Sequence, residues 1–330
     1  MASSVVPLPN NEHLRLGMTR QAMIAFVKER LLFPETYRRD EEKLGWVTRA
    51  FGPVDYTPIK VDWRGVDRAR NLTGYDLAEA IRAWLPTIGA DSLSVCEVLA
   101  AEGWEYDAVE YNGAGKEVVR RAKGVGKANV FFSHMQRPCA VSVAFRNLWS
   151  AHNTFDSVLP AEEDTYFWVD YFVLRQCQRD FNVEAIRSVV NEIGCTLAEL
   201  DSRMRYLTRS FCVFEVFCTT ERSDAKLLVL TEMESERMQR ALESTPVNSA
   251  MAQTWRDEDK QMIDAFICDV FGTSEAFDRR VTDALVAGSE AWDNVDEAPP
   301  TDDWGNWSKP RSHTTSQPTC KGREDNSEQK

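Results

Sequence analysis

Positive charge is scarce in this 330-residue chain: 39 lysines and arginines stand against 52 aspartates and glutamates, a formal net charge of -13. With no basic stripe to neutralise phosphates, nucleic acid is excluded as the main partner. The densest basic cluster, Arg120-Arg121-Ala122-Lys123 with Lys127, is short and reads as a solvated helix face. Long apolar runs are missing as well. None approaches the roughly 20 residues of a membrane span. The stretch from Met1 to Pro9 has neither the basic region nor the apolar core of a signal peptide. Eight cysteines, at 96, 139, 177, 195, 212, 218, 268 and 320, include no CxxC pair and no Cys–His zinc spacing. Cys96, Cys195, Cys212 and Cys268 lie in apolar surroundings and read as small buried hydrophobes. These absences lead to the expectation of a reduced cytoplasmic protein without a structural metal or a redox cofactor.

What is present is ordinary globular material, 43% hydrophobic and 28% charged, enough for one large domain with an extension. The most informative residue is Glu215, the only charge between Phe211 and Cys218. At 100° per residue the apolar side chains of that run cover almost the whole helix circumference, leaving Thr208, Glu215 and Thr219 as a polar stripe. A lone carboxylate on a buried helix needs a partner or a pocket, because desolvating it unpaired costs several kcal/mol in order of magnitude. It is either half of a structural ion pair, with Arg205 or Arg209, or a site carboxylate with a raised pKa.

Organisation follows from periodicity. Residues 1–17 read as a loose arm, and 18–123 as a mostly helical region. Helical patterns fall at Met18–Phe33, Tyr75–Leu85 and Leu93–Glu102, the last with Ser92 as N-cap and Gly103 as its stop. Residues 34–66 give no pattern. From 124 to 288 short apolar runs alternate with amphipathic helices: strands at Asn129–Ser133, Tyr166–Phe172, Cys195–Leu200 and Lys226–Leu230, and helices near 141–152, 183–193, 207–219, 233–243, 255–271 and 275–287. The expected fold is α/β, a doubly wound, flavodoxin-like parallel sheet of four to five strands, with Pro246–Met251 as the only place for a fifth. From 289 to 330 the chain turns polar without periodicity and reads as a disordered tail. Parallel sheets bind ligands at the carboxyl ends of their strands. Those ends carry Ser133 and His134, then Asp170, then Glu215 on the helix after the third strand.

Three segments together resemble a known family. Val125-Gly126-Lys127-Ala128-Asn129-Val130-Phe131-Phe132-Ser133-His134, then Phe167-Trp168-Val169-Asp170-Tyr171-Phe172 with Gln176, then Leu207-Thr208-Arg209-Ser210-Phe211-Cys212-Val213-Phe214-Glu215 resemble the divergent TIR-like domains of protists and algae. The middle segment is also similar to a motif of fungal HET domains. Gln136 and Phe211 stand where those relatives have tryptophan, so an aromatic wall differs. The resemblance implies cleavage of the nicotinamide–ribose bond of NAD, with NAD as substrate, and a catalytic glutamate at the position of Glu215. It also implies Ser133, His134, Asp170 and Trp168 as substrate-binding residues, and a homo-oligomer assembled through this domain. One carboxylate suits that chemistry, because loss of neutral nicotinamide leaves an oxocarbenium-like ribose that an anion stabilises.

Plainer roles stand beside these. His134 is a structural hydrogen-bond partner, Asp170 a loop cap, Ser133 a ligand of its own turn, Trp168 core and Gln176 a loop residue. The alternative function is a non-catalytic signalling or self-association module, since a fold does not fix an activity. A third is a nucleotide-binding regulator with a sensing helical region.

Overall fold

The computed structural model describes residues 7–8, 11–32, 73–111, 117–136, 141–178, 182–231 and 233–289. The unpatterned stretch 34–66, the first residues of the arm, the polar tail from 290 onward, Cys139 and Cys320 lie outside them. The described chain runs β1 (Leu16–Met18), α1 (Arg20–Phe26), α2 (Gly74–Thr87), α3 (Val95–Ala101), β2 (Glu105–Tyr111), β3 (Glu117–Lys123), β4 (Val125–Lys127) and β5 (Val130–Ser133). It continues through α4 (Val141–Thr154), β6 (Phe167–Trp168), α5 (Asp170–Val173), α6 (Val183–Ile193), β7 (Cys195–Leu200) and α7 (Ser210–Thr220). It closes with β8 (Lys226–Thr231), α8 (Ser235–Ser244), α9 (Asp257–Phe271) and α10 (Ser274–Ser289). This is an α/β architecture. None of these helices is long and apolar enough to cross a membrane.

Six strands form one mixed sheet in the order β4-β1-β6-β5-β7-β8. The strands β6, β5, β7 and β8 are mutually parallel, while β1 pairs antiparallel with both β6 and β4. The parallel strands are apolar on both faces, as helices on either side require: all four residues of β5 and five of six in β7 are buried. Phe131 of β5 stacks on Trp168 of β6 with ring centroids 4.5 Å apart. Beyond β7, Phe214, Phe217, Phe266, Phe271 and Phe277 interlock between α7, α9 and α10. Each such buried ring contributes roughly 1.5–3 kcal/mol.

Several expectations are corrected. Leu16 and Gly17 of the expected arm, with Met18 of the expected first helix, are a strand inside the sheet. Gly17 makes this possible, since a Cβ there would meet the Phe167 carbonyl oxygen at 2.9 Å and the Ala128 Cβ at 3.0 Å. The region 18–123 is not helical throughout, because 105–123 forms the separate β2–β3 pair. Arg120-Arg121-Ala122-Lys123 therefore lies on a strand. Arg121 pairs across it with Asp107 at 2.8 Å, a cross-strand charge pair that stabilises the ladder. The helix near 93 starts two residues later than expected, because Ser94 and not Ser92 forms a capping box with Glu97.

The run Tyr166–Phe172 is only half a strand. Asp170 Oδ1 accepts the Tyr171 N–H at 2.7 Å and turns the chain into α5. Pro246–Met251 adds no fifth parallel strand, and only an isolated bridge joins nearby Gln253 to Arg209. Cys96 and Cys212 are buried as expected, but Cys195 is half-buried and Cys268 is exposed on α9. Gly194 closes α6 at φ 68°, and Gly103 stops the turn after α3 at φ 58°.

One buried ion pair ties the N-terminal part to the sheet. Arg175, after α5, donates to both oxygens of Glu97 on α3, at 2.7 and 3.0 Å. Glu97 also accepts the N–H groups of Ser94 at 2.8 Å and Leu8 at 3.0 Å. Burial alone would raise the Glu97 pKa, but the Arg175 guanidinium and these N–H donors outweigh it and hold it below the ordinary 4.5. Its contribution to stability is therefore present above pH 4.5 and is lost as pH falls through the depressed folded value. Arg175→Met is expected to destabilise the protein by about 3–5 kcal/mol near pH 7 by leaving Glu97 buried without its counter-charge. The gap to wild type should narrow in acid. Urea unfolding at pH 7 and pH 3 checks both statements, and a gap that does not depend on pH would refute the electrostatic account.

Candidate functional site

The carboxyl ends of the parallel strands meet at one edge of the sheet. Ser133 is the last residue of β5, in register with Ala198 of β7, and His134 follows it. Asp170 follows β6 and opens α5. After β7 a 3-10 turn, Arg205–Thr208, leads into α7, which is apolar almost all round and carries Glu215 in its second turn. Thr219 donates to the Glu215 backbone carbonyl at 3.0 Å and lies 2.6 Å from the Thr196 hydroxyl of β7, which fixes the helix on the sheet.

The structure brings Ser133 and Glu215 into contact, with Ser133 Oγ 2.5 Å from Glu215 Oε2. The same Oγ lies 2.5 Å from the hydroxyl of Tyr206, which donates in turn to the Cys212 carbonyl at 3.2 Å. Arg205 pairs instead with Asp201 at 3.0 Å, and Arg209 makes no ion pair with Glu215 among the described residues. The ion-pair expectation for Glu215 is thus replaced by a hydroxyl chain.

Glu215 is half-buried as a residue, but its carboxyl is enclosed by protein. Desolvation pushes its pKa up to about 8, the Ser133 hydroxyl opposes this, and the charge of Asp170 adds to it. Counting protons leads the same way. Three links (Glu215–Ser133, Ser133–Tyr206 and Tyr206–Cys212) have only two hydroxyl hydrogens between them when Glu215 is ionised. A protonated Glu215 supplies the third, and the chain then donates in one direction from carboxyl to serine to tyrosine to carbonyl. Burial also holds the Tyr206 phenol and the Cys212 thiol far above their ordinary values, so neither is a nucleophile.

His134 is buried, stacked on Phe132 at 4.6 Å and edge-on to Tyr171 at 5.4 Å. Its Nδ1 is 3.4 Å from the Phe132 carbonyl, and its buried Nε2, 4.0 Å from Asp170 Oδ1, has no hydrogen-bond partner among the described residues. Asp170 keeps 29% of its side chain exposed and accepts from Gln136 Nε2. Trp168 is placed elsewhere in function. At 2% exposure, with its N–H bonded to the Leu14 carbonyl at 2.9 Å, it is core. Gln176 caps the Asp170 backbone carbonyl at 3.0 Å.

Two participants were missed by sequence reasoning. Tyr206 could have been found as a polar-tipped aromatic just before the Glu215 run. Gln136 was read only as a departure from the family pattern. Among the described residues no group of three or more His, Cys, Asp or Glu is arranged to hold a metal ion. Compared with known protein families, characterised proteins and solved structures, the chain matches none.

Glu215 binds its proton more tightly in the native chain than in the unfolded one. Its stabilising contribution is therefore complete below pH 4.5 and is lost as pH rises through about 8. Glu215→Gln keeps the volume and a donor toward Ser133 but does not titrate. Relative to wild type, the variant should gain stability between pH 5 and pH 9. Denaturant midpoints at the two pH values measure this, and an unchanged difference would show that Glu215 is not held protonated.

Proposed function

We propose that this chain is a TIR-like protein whose doubly wound, flavodoxin-like sheet carries a Glu215-dependent site for cleaving the nicotinamide–ribose bond of NAD. The observation that carries the reading is the convergence of Ser133, His134, Asp170 and Glu215 at the carboxyl ends of parallel strands, with no arginine paired to Glu215 among the described residues. Support for the fold comes from the parallel order β6-β5-β7-β8, and from two helix groups: α7 touches both α6 and α10, while α1 touches α4. In the reaction an ionised Glu215 stabilises the oxocarbenium-like ribose and hydrogen-bonds its hydroxyls as nicotinamide departs. Ser133 positions the carboxylate. Asp170 and His134 line the approach.

The second reading, a non-catalytic self-association module, is favoured by one specific feature. Glu215 is satisfied within the Ser133–Tyr206 chain when neutral, a structural role that needs no substrate.

Turnover of NAD by purified protein, measured across protein concentrations, tests the first reading. Glu215→Gln should lower kcat by about 10²–10³ while the fold survives. His134→Ala and Asp170→Asn should have smaller effects. Because the ionised form is the active one, kcat/KM should rise with pH to a plateau above about 8. Ser133→Ala removes the hydrogen bond that favours the anion, so the rise should move to higher pH. Unchanged NAD cleavage by a well-folded Glu215→Gln protein would end the catalytic assignment. Concentration-dependent assembly without turnover would establish the module instead.

A further inference from the structure

The carboxylate of Asp170 is held at both oxygens. Gln136 Nε2 donates to Oδ2, and the Tyr171 N–H donates to Oδ1 at 2.7 Å. On the inner side Oδ1 stands 4.0 Å from the buried His134 Nε2, while 29% of the Asp170 side chain meets solvent on the outer side. No lysine or arginine pairs with Asp170 among the described residues. The Gln136 amide is thus the side-chain group that decides which way this charge points.

Gln136 is itself braced by α2. The Tyr75 N–H, one of the donors that a first helical turn leaves over, donates to the Gln136 carbonyl at 3.3 Å. Gly74 permits the approach, because a Cβ there would meet the Gln136 Cα and carbonyl oxygen, each at 3.1 Å. The same helix reaches the far side of the Asp170 turn. Arg82 Nε donates to the Gln176 carbonyl at 3.0 Å, and Gln176 Nε2 donates to the Asp170 carbonyl at 3.0 Å. Two routes from α2 therefore converge on one aspartate. Packing alone does not call for this, since Tyr171, Phe172 and Val173 already bury the short helix α5.

A short path leads from Asp170 to Glu215. His134 adjoins Ser133, whose hydroxyl touches Glu215, and the His134 carbonyl accepts from Cys212 Sγ at 3.6 Å, one turn before Glu215 on α7. Among the described residues Asp170 is the charged group that acts on the Glu215 carboxyl. Burial keeps the other titratable neighbours, Tyr206, Cys212 and Cys218, neutral. The remaining charges around α7 are engaged elsewhere. Glu199 of β7 acts on Tyr206 and Arg209 on Cys212. Arg187 of α6 pairs with Glu221, Arg280 of α10 binds Thr220, and Lys260 of α9 pairs with Asp264.

We propose that Gln136 is a positioning residue: braced by α2, it turns the Asp170 charge inward beside His134, where that charge opposes ionisation of Glu215. The proposal rests on the NAD-cleaving reading only for its effect on turnover. The electrostatic link itself needs no substrate.

The test follows the Glu215 carboxyl by carbon NMR of the full chain, isotope-labelled at glutamate Cδ, with the signal identified by its absence from Glu215→Gln. Wild type should titrate at about 8. Asp170→Asn removes the charge and should lower that midpoint by about half a pH unit or more. Gln136→Met keeps the length of the side chain but not the donor. Water then replaces the amide, the carboxylate turns outward, and the midpoint should fall in the same direction. Gln136→Asn, one methylene shorter, should do the same with a side chain that stays polar, and it decides the matter should Gln136→Met not fold. Combined with Asp170→Asn, neither substitution should lower the midpoint further. An unchanged or raised midpoint in a correctly melting Gln136 variant, or full additivity with Asp170→Asn, overturns the positioning role. In turnover, the rise of kcat/KM should move to lower pH in the Gln136 variants. The NMR shift in a protein that never cleaves NAD sustains the role of Gln136 and removes the reaction. Glu215-dependent turnover without that shift keeps the reaction and overturns the role of Gln136.

Discussion

Ser133 Oγ is the atom at which sheet, turn and helix are joined. It ends β5, touches the Glu215 carboxyl of α7 and touches the Tyr206 hydroxyl of the turn before that helix. Helix α7 is apolar nearly all round, and such a helix is stable only when buried on most sides. Burying it carries one carboxyl group inward, and a carboxyl without a partner would cost more than the neighbouring phenylalanines contribute at that position. A hydroxyl meets the need at lower cost than an arginine would, because a neutral acid and a serine satisfy each other without two charges being taken out of water. The protonated state of Glu215 is thus a consequence of how the helix is docked.

The same edge of the sheet depends on the N-terminal part of the chain. Strand β1 is inserted between β4 and β6, one strand in from the edge of the sheet. The hydroxyl of Thr19, which follows β1 and caps α1, donates to the Tyr106 hydroxyl at 3.0 Å and links this part of the chain to the β2–β3 pair. The Glu97–Arg175 pair fixes α3 against the segment after α5, and Gly74 seats α2 on Gln136. Residues before 124 and after it share one continuous core. The candidate site therefore draws on both sides of the boundary suggested by composition: the C-terminal part carries Ser133, His134, Asp170 and Glu215, and Gly74 and Tyr75 of the N-terminal part pack on Gln136, which holds Asp170.

Most of the parallel sheet was legible because its strands are local statements. Val130–Ser133, Cys195–Leu200 and Lys226–Thr231 are short apolar runs closed by turn residues, and the following helices have clean 3.6-residue patterns. What could not be read is non-local. Leu16–Met18 is three residues long, and nothing in those residues states that β4 and β6 will flank them. The β2–β3 pair was hidden by charges at Glu105, Asp107, Arg120 and Arg121, whose pairing is visible only across strands. At the site, the lone charge of Glu215 announced itself, and so did the need for a partner. That the partner is Ser133 and not Arg205 or Arg209 follows from β5 lying beside β7, which periodicity does not encode. Trp168 misled for the opposite reason: its motif position suggested a ligand wall, while pairing with Phe131 and Leu14 places it in the core.

A carboxyl that folds neutral and, in the proposed reaction, would act ionised poses a question of coupling. With its pKa pushed up to about 8, Glu215 is neutral in most molecules at pH 7. Asp170 contributes to that suppression, since its negative charge disfavours ionisation of Glu215. In the proposed reaction the cationic nicotinamide ring would approach past Asp170. It would offset the charge of Asp170 and lower the work of deprotonating Glu215. The substrate would then bring with it part of the electrostatic change its own cleavage needs, and the empty site would rest in the form that best satisfies Ser133, Tyr206 and the Cys212 carbonyl. On this view the stability of the resting fold and the chemistry of the occupied site use the two protonation states of one residue, and the hydroxyl chain decides which state prevails when nothing is bound.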